Sequence, residues 1–397
     1  MLLLSDMNIV LFTHPSFLGS QSMPRFANML LEGMKNKGHR MEVLSPEPSF
    51  FRRAPAPKLK KWLGYLDQYL VFPSRVRPFI ERCPNDTLFV FSDHALGPWV
   101  PMVKDRPHVI HCHDFLAQRS ALGEIPANPT SFTGRKYQQF IRRGFCKGRN
   151  FISVSEKTRE DLHRFLGYRP SVSEVVYNGL NQTFVRRNVA DSRNLLEKRT
   201  GIELRQGYLL HVGGNQWYKN RAGVVRIYDA WRSISKSSLP LLLIGKEPSA
   251  NLLREYAEAA YRKDIYFLAD IEDLYLPVAY SGATAFLFPS LAEGFGWPIA
   301  EAMAAGTVVI TTGEAPMTEV ASDAAFLISR RPDDIKLLKS WALDSAKVVE
   351  EVVTLPPDKR EKFVEAGLVN ASRFDARVAL DKIEHIYRKV LYPALVH

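Results

Sequence analysis

The sequence predicts an α/β protein built from two Rossmann-like, doubly wound parallel-sheet domains facing across a cleft. Three observations carry this expectation. Short, continuously apolar runs rich in Val, Ile, Leu and Phe alternate with segments of helical period, the pattern of parallel strands covered by helices on both faces. The alternation starts afresh at Gly207. Between the two series lies a polar, basic stretch, Asn181–Gln206, with the character of a boundary. The expected division is an N-terminal domain over 1–185, a C-terminal domain over 186–374, and an amphipathic helix within 375–397 that packs back on the first domain.

The first series opens at NIVLFTH (Asn8–His14), a short β-branched run, followed by a Gly/Ser loop around Gly19. A helical pattern runs from Met23 to Lys37, and Gly38 stands where a helix-terminating glycine belongs. RMEVLS, LFVFS (Leu88–Ser92), HVIHC (His108–Cys112), FISVS (Phe151–Ser155) and EVVYN (Glu174–Asn178) read as the next strands, with a helix over Thr158–Phe165. The second series begins with GYLLHVGG (Gly207–Gly214) and a helix over Asn220–Ser235. It continues through LPLLLIG (Leu239–Gly245), DIYFLA, a helix near Leu274–Tyr280, AFLFPS (Ala285–Ser290), a helix over Pro298–Ala305, and TVVITT (Thr307–Thr312). Asp375–Leu391 has the pattern of the last helix.

A chain of 397 residues, 46% hydrophobic and 24% charged, suits two globular cores at about 100–200 residues per domain. Three cysteines, Cys83, Cys112 and Cys146, with no C-x-x-C pair, argue against a disulfide framework and a zinc site and for a reducing compartment. The apolar start MLLLSDMNIVLF lacks a basic flank and a small-residue cleavage site, so no signal peptide is expected. No apolar run approaches the roughly 18 residues that span a bilayer. A cytoplasmic protein is expected.

The net charge of +11 suits an anionic partner: nucleic acid, a membrane surface or a phosphorylated substrate. No nucleic-acid-binding signature appears, so that partner is not expected. Residues Arg52–Pro78 set basic residues beside Trp62, Leu63, Tyr65, Leu66, Tyr69 and Leu70, near helical spacing. Lys58, Lys60, Lys61 and Trp62 together have the composition of an interfacial helix on an anionic membrane. A surface helix whose aromatics pack on the first sheet explains the same pattern equally.

In doubly wound folds, ligands bind at the carboxyl ends of strands, where helix N-termini offer N–H groups and a positive dipole end. Three loops fit. GGNQWYKN (Gly213–Asn220) lets the Gly213 and Gly214 backbone approach an anion and brings Lys219 to the start of a helix, where it can pair with phosphate; a solvated turn lysine is the plain alternative. LAEGFGWPIAEAMAAG (Leu291–Gly306) has Gly294 and Gly296 flanking Phe295, Pro298 in the first turn, and Glu293 and Glu301 eight positions apart. Two carboxylates beside a glycine loop and a helix start suit a ligand with hydroxyls and phosphates. Alternatively, Glu293 is a loop charge and Glu301 a first-turn acid complementing the dipole. The third loop is HCHDF (His111–Phe115), at the end of a first-domain strand; a lone histidine there is more often structural, and the pair His111/His113 with Asp114 adds modestly to the site reading.

FLFPSLAEGFGWPIAEAMAAG, with its E-x7-E pair Glu293 and Glu301, resembles the signature of the retaining glycosyltransferases of family 4, which have the GT-B fold. The resemblance extends in order through Gly19, VIHCHD (Val109–Asp114), SVSEKTREDL (Ser153–Leu162), VVYNGLN (Val175–Asn181), the loop Gly213–Lys219 and LADIEDLYLPVAYSGA (Leu268–Ala283). It implies that Glu301 binds the nucleotide ribose and that Glu293, with the Gly294–Phe295–Gly296 backbone, holds the donor sugar and phosphate. Lys219 neutralises the departing diphosphate, His113 lies near the transferring sugar, and Gly19 leaves room between donor and acceptor. The resemblance also implies that Asp270–Asp273, with Asp270 and Ile271 as donor-binding residues, lies close to the base.

The expected activity is retaining transfer of a hexose from a nucleoside-diphosphate sugar, GDP-mannose first and a UDP-hexose second. The expected acceptor is a saccharide or lipid-linked saccharide in bacterial surface polysaccharide synthesis, at the inner face of the membrane. No cofactor and no metal are expected, and no D-x-D pair occurs. One departure from the family is Gly214, where many relatives carry an arginine five residues before the lysine; either Arg221, a nearby candidate replacement, compensates, or helix dipoles and Lys219 suffice. That departure also admits a catalytically degenerate nucleotide-sugar-binding partner protein. A dehydrogenase is disfavoured because neither first strand leads into G-x-G-x-x-G.

Overall fold

The computed structural model describes residues 6–18, 22–53, 55–180, 184–269 and 271–393. The chain forms two compact units, one running up to Tyr177 and resuming at Arg377, the other spanning Asn178–Ala376. Each is a six-stranded, wholly parallel sheet with helices on its faces.

In the first unit the strands are β1 (Asn8–Phe12), β2 (Arg40–Leu44), β3 (Leu88–Phe91), β4 (His108–Cys112), β5 (Asn150–Ser153) and β6 (Val172–Val175), in the order β2-β1-β3-β4-β5-β6. The central strands β3 and β4 are buried along their whole length, which is why they read as unbroken apolar runs. Phe12 stacks on Phe91 at 4.7 Å between ring centres, and Phe72 and Trp99 close the same cluster. The helix Ala376–Leu391 completes the other face, its Ile383, Ile386 and Tyr387 packing with Ile9, Leu11, Val90 and Val109. Its approach is close: a Cβ at Gly33 would stand 2.5 Å from Leu380.

The second unit contains β7 (Leu209–Val212), β8 (Leu241–Ile244), β9 (Ile265–Leu268), β10 (Ala285–Phe288), β11 (Val309–Thr312) and β12 (Ala325–Ile328), ordered β12-β11-β10-β7-β8-β9. β12 is an addition to the expected strands. It is an edge strand and only Ile328 is buried, so its apolar signal is short. Helices Leu338–Val353 and Pro357–Ala371 follow, placing Trp341, Ala346, Val349 and Val364 in the core.

The order of strands reverses at one place in each sheet. In the first unit the reversal falls between β1 and β3, and in the second between β7 and β10. Outside the carboxyl ends of such strand pairs the connecting loops diverge to opposite faces and leave a crevice. No helix among the described residues is long and apolar enough to cross a membrane.

Candidate active site

At the second unit's reversal, the loop after β7 meets the loop after β10. β7 ends at His211–Val212, and a 3-10 turn, Trp217–Lys219, carries Lys219 back over the sheet before the helix Arg221–Ile234. Asn220 makes this turn possible by adopting the left-handed conformation (φ 51°), held by bonds from its side chain to the Pro289 carbonyl and from Arg331. Lys219 Nζ lies 2.8 Å from Glu293 Oε1, with side chains only 14% and 8% exposed, so the pair is sheltered. Ser290 Oγ is 2.6 Å from the same oxygen. The ammonium also sits 5.1 Å from the centre of the Phe288 ring.

Beneath this pair lies His211. Its Nδ1–H donates to the Leu287 carbonyl at 2.9 Å, and its buried Nε2 has no hydrogen-bond partner among the described residues. A Cβ at Gly213 would stand 3.0 Å from that Nε2, so the glycine lets the backbone pass directly over the imidazole. Burial lowers the His211 pKa to about 3; the bond to Leu287 opposes this, and the charges of Arg221 and Lys219 add to it. The ring is therefore neutral at physiological pH. Arg221 is 5% exposed and donates from Nη1 to Asn215 Oδ1 and the Lys246 carbonyl, each at 2.7 Å. Its Nε and Nη2 are buried without partners among the described residues. Thus Lys219 and Arg221 flank the glycine loop with positive charge, and no side chain occupies Gly214.

Across the crevice, Gly296 caps the helix Trp297–Ala304 at φ 110°, a conformation that favours glycine, with Pro298 in the first turn. Phe295 is buried against Phe374 and Trp297, which fixes the loop from below. Glu301 corrects the reading of a first-turn acid. It is the fifth residue of the helix, only 4% exposed, and accepts a bond from Tyr280 Oη at 3.1 Å. A buried, hydrogen-bonded carboxylate is held for a purpose other than complementing the dipole. Ile271 follows β9 in the third loop of this edge, while Asp270 lies outside the described residues.

The first unit has its own pair across the β1/β3 reversal. His14, just past β1, places Nε2 at 2.9 Å from Oδ2 of Asp93, just past β3. A carboxylate only accepts, so Nε2 carries the proton. Nδ1 of His14 has no hydrogen bond among the described residues, and the side chain is 17% exposed. His94 Nδ1 lies 2.9 Å from Asp93 Oδ1. Burial opposes charge on Asp93, yet His94 and His14 more than offset it and hold the carboxyl well below its usual range. His113, beside them, is bonded to the Ser92 carbonyl at 2.9 Å and stacks edge-on to Phe26; burial lowers its pKa. Burial raises that of Asp114. His111 is structural: its Nε2 meets Tyr387 Oη at 2.7 Å in the core. Gly19 lies outside the described residues. His14, Asp93, His94 and His211 were not among the sequence-derived site residues; the signal that would have found them is their position immediately after, or at the end of, a central strand.

Two family models match the chain, "Glycosyltransferase Family 4" over 23–184 and "Glycosyl transferases group 1" over 206–339. Among curated proteins, the O-antigen chain mannosyltransferase B of Escherichia coli is 26% identical over 244 residues, 60% of each chain. The phosphatidyl-myo-inositol mannosyltransferase of Mycobacterium leprae is 25% identical over 382 residues, 91% of each. The match spans about 60% of the length of the first two curated relatives. Among solved structures, sucrose-phosphate synthase from Thermosynechococcus elongatus superposes with a TM-score of 0.74 at 16% identity, covering 98% of this chain and 100% of that one. Anabaena HepE, solved with UDP and glucose, gives 0.68 at 15%, covering 96% and 98%. These are likenesses of fold, and the fold is GT-B. With both halves matched in order, this chain belongs to glycosyltransferase family 4.

Proposed function

We propose that the protein transfers a hexose, with retention of anomeric configuration and without a metal, from a nucleoside-diphosphate sugar to a saccharide or lipid-linked saccharide in surface polysaccharide synthesis. The observation that carries this reading is the Lys219–Glu293 pair across the second unit's reversal, set between a glycine loop and a helix start. The pair has two charges that a donor would use separately. Lys219 would turn to the diphosphate and Glu293 would accept hydroxyl protons of the sugar, each exchanging its partner for a ligand group. Arg221 would supply, through Nε and Nη2, the second cation that Gly214 does not. With the positive end of the helix Trp297–Ala304, these groups stabilise charge on the diphosphate as its bond to the anomeric carbon breaks. Glu301, positioned by Tyr280, would receive the ribose hydroxyls.

The acceptor would use the first unit. His14, oriented by Asp93, would meet the acceptor hydroxyl through Nδ1, with His113 near the transferring sugar. GDP-mannose is the donor favoured first, because three relatives are named mannosyltransferases; a UDP-hexose is second, because HepE was solved with UDP and glucose. The test is a thermal-shift panel of nucleotide sugars, then calorimetry and transfer assays on two variants. Glu301→Ala is expected to weaken donor binding about tenfold, and Glu293→Gln chiefly to lower turnover. Unchanged affinity and rate in both would remove this site. Donor binding with no turnover on any acceptor would favour the degenerate-partner reading, which Gly214 keeps open.

A lipid-linked acceptor also gives work to the first unit's surface. The segment read as an interfacial helix forms a helix, Pro57–Leu66, a π turn, Asp67–Val71, and a second helix, Phe72–Arg82. Tyr65 and Tyr69 pack inward on Tyr137, whereas Trp62 and Leu70 are 60% and 65% exposed. Phe132, on the neighbouring helix Phe132–Phe145, is 67% exposed with the Lys136 ammonium 5.5 Å from its ring centre. Lys60 and Lys61 lie exposed beside Trp62, while the Lys58 side chain is outside the described residues. Exposed aromatics beside lysines suit docking on an anionic bilayer at the inner face of the membrane.

A further inference from the structure

At the opposite edge of the second sheet, before β7, β10 and β11, lies a cavity of about 210 Å³ that the proposed transfer does not use. Arg186, Arg187, Arg193 and Arg360 line it, and Glu361 is its one acid. Arg186 takes that carboxylate in a two-pronged bond, at 2.6 and 2.8 Å. Among the described residues Arg193 and Arg360 find only neutral acceptors. Arg193 donates to the Gly282 and Arg205 carbonyls and to Thr284 Oγ1, at 2.9, 3.2 and 3.2 Å. Arg360 donates to the carbonyls of Thr284 and Val352. These bonds orient the guanidiniums but leave their charge uncompensated, and taking two unpaired charges partly out of water is costly. Burial lowers the pKa of both, and for Arg360 the charge of Arg193 lowers it further.

The chain also keeps this space clear. Gly207 (φ 109°) and Gly306 (φ 80°) sit in the left-handed region. A Cβ at Gly207 would stand 2.8 Å from Arg193 Nη2, and one at Gly306 would stand 2.9 Å from Arg186 Cγ. The two glycines thus make room for arginines of this cluster: Gly207 for Arg193, which has no acidic partner among the described residues, and Gly306 for Arg186, which has Glu361. At about 30 Å³ per water, the volume holds a phosphate group together with a few waters.

From the arginine count and the paired glycines we infer a second anion site here, one that takes a small phosphate: inorganic phosphate, diphosphate or a sugar phosphate. Arginine suits this ligand because its planar fork meets two phosphate oxygens at once. The site is separate from the donor crevice, which lies at the carboxyl edge of the same sheet.

The experiment uses the full chain with GDP or UDP added in excess, so that phosphate cannot register through the donor site. Inorganic phosphate, diphosphate and mannose 1-phosphate are each titrated while the melting temperature is followed. A saturable rise of roughly 2–4 °C is expected for at least one of them, and which one responds identifies the source. Arg187→Ala changes an exposed side chain and leaves the fold intact; Arg360→Gln removes a half-buried cation. Each is expected to raise the phosphate dissociation constant at least tenfold with nucleotide binding unchanged. If Arg360→Gln does not fold, Arg187→Ala decides alone. No response in the wild type, or the same response in Arg187→Ala, overturns the site. Absence of nucleotide binding would count against the donor reading alone, because the arginine variants still report on this cavity.

Discussion

Each unit is a parallel sheet whose strand order reverses once, beside its first strand, and each sets a short polar pair at that reversal: His14–Asp93 at 2.9 Å in the first and Lys219–Glu293 at 2.8 Å in the second. The pairs differ in what they offer. Around Lys219 stand Arg221, a glycine loop and a helix start, so this crevice has positive charge and open backbone for an anion. Around Asp93 stand three imidazoles, those of His14, His94 and His113, and a second carboxyl, Asp114, with no lysine or arginine paired to Asp93 and no glycine loop among the described residues. Two doubly wound sheets thus differ at their reversals, and under the proposed function one would neutralise charge and the other would recognise a hydroxyl. Fold alone does not separate these tasks; the residues placed after the central strands do.

The sharpest way to break this comparison is to delete one member of each pair. Lys219→Ala is expected to lower kcat at least tenfold, with the fold intact, because developing charge on the diphosphate loses its nearest cation. Arg221→Ala should add a comparable loss, and wild-type kinetics in that variant would leave the missing Gly214 cation unexplained. His14→Gln is expected to act differently, raising the acceptor KM severalfold while donor affinity stays constant. Equal effects of Lys219→Ala and His14→Gln on donor binding would dissolve the assignment of separate roles.

Which of these groups the sequence could reveal follows from distance along the chain. Gly213–Lys219 and Glu293–Gly296 are local patterns, and a strand–glycine–helix passage shows itself within a few residues. His14 and Asp93 are 79 residues apart, and His211 meets the Leu287 carbonyl 76 residues away; neither partnership has a local signature. Strands were legible where both faces are buried and faint at the edge, as β12 shows with one buried residue. The helix containing Glu301 was located, but its first residue is Trp297, and that moves Glu301 from the first turn to a buried site against Tyr280. Its orientation depended on a partner 21 residues earlier.

Acid provides a second contrast, in which the units should behave alike. Burial lowers His111 in the first unit and His211 in the second to about 3. In the unfolded chain both would titrate near 6.5. Above that pH neither state binds the proton, so no stability depends on it. Below it the unfolded state takes up a proton that the folded state refuses, and stability falls as the pH drops from about 6.5 toward 3. The slope approaches about 1.4 kcal/mol per pH unit for each histidine. Urea unfolding at pH 7, 6 and 5 measures it. Replacing His211 by Asn, whose side-chain amide can still donate to Leu287, should flatten the slope by one histidine's share. A wild-type stability that does not change between pH 7 and 5 would contradict the buried, neutral state of both rings.

The smallest effect concerns a surface rather than a site. If the first unit handles a lipid-linked acceptor, it gains from lying on the bilayer, and the second unit, proposed to bind a soluble donor, does not. Each lysine near an anionic surface contributes about 1 kcal/mol, so Lys60, Lys61 and Lys136 with the exposed rings of Trp62 and Phe132 amount to reversible docking. Wild-type protein should co-sediment with vesicles containing phosphatidylglycerol and not with neutral ones, and salt should release it. Lys60→Glu with Lys61→Glu changes only exposed charges, so this variant should remain folded, keep its donor affinity and stay in the supernatant. Trp62→Ser separates the two contributions: it should weaken binding to anionic vesicles without altering the salt concentration that halves it, since the ring contributes area and the lysines contribute charge. Equal sedimentation of the double lysine variant and wild type, or none by either, would make Trp62 an ordinary edge of the Tyr65–Tyr69–Tyr137 cluster, where it packs on Tyr65.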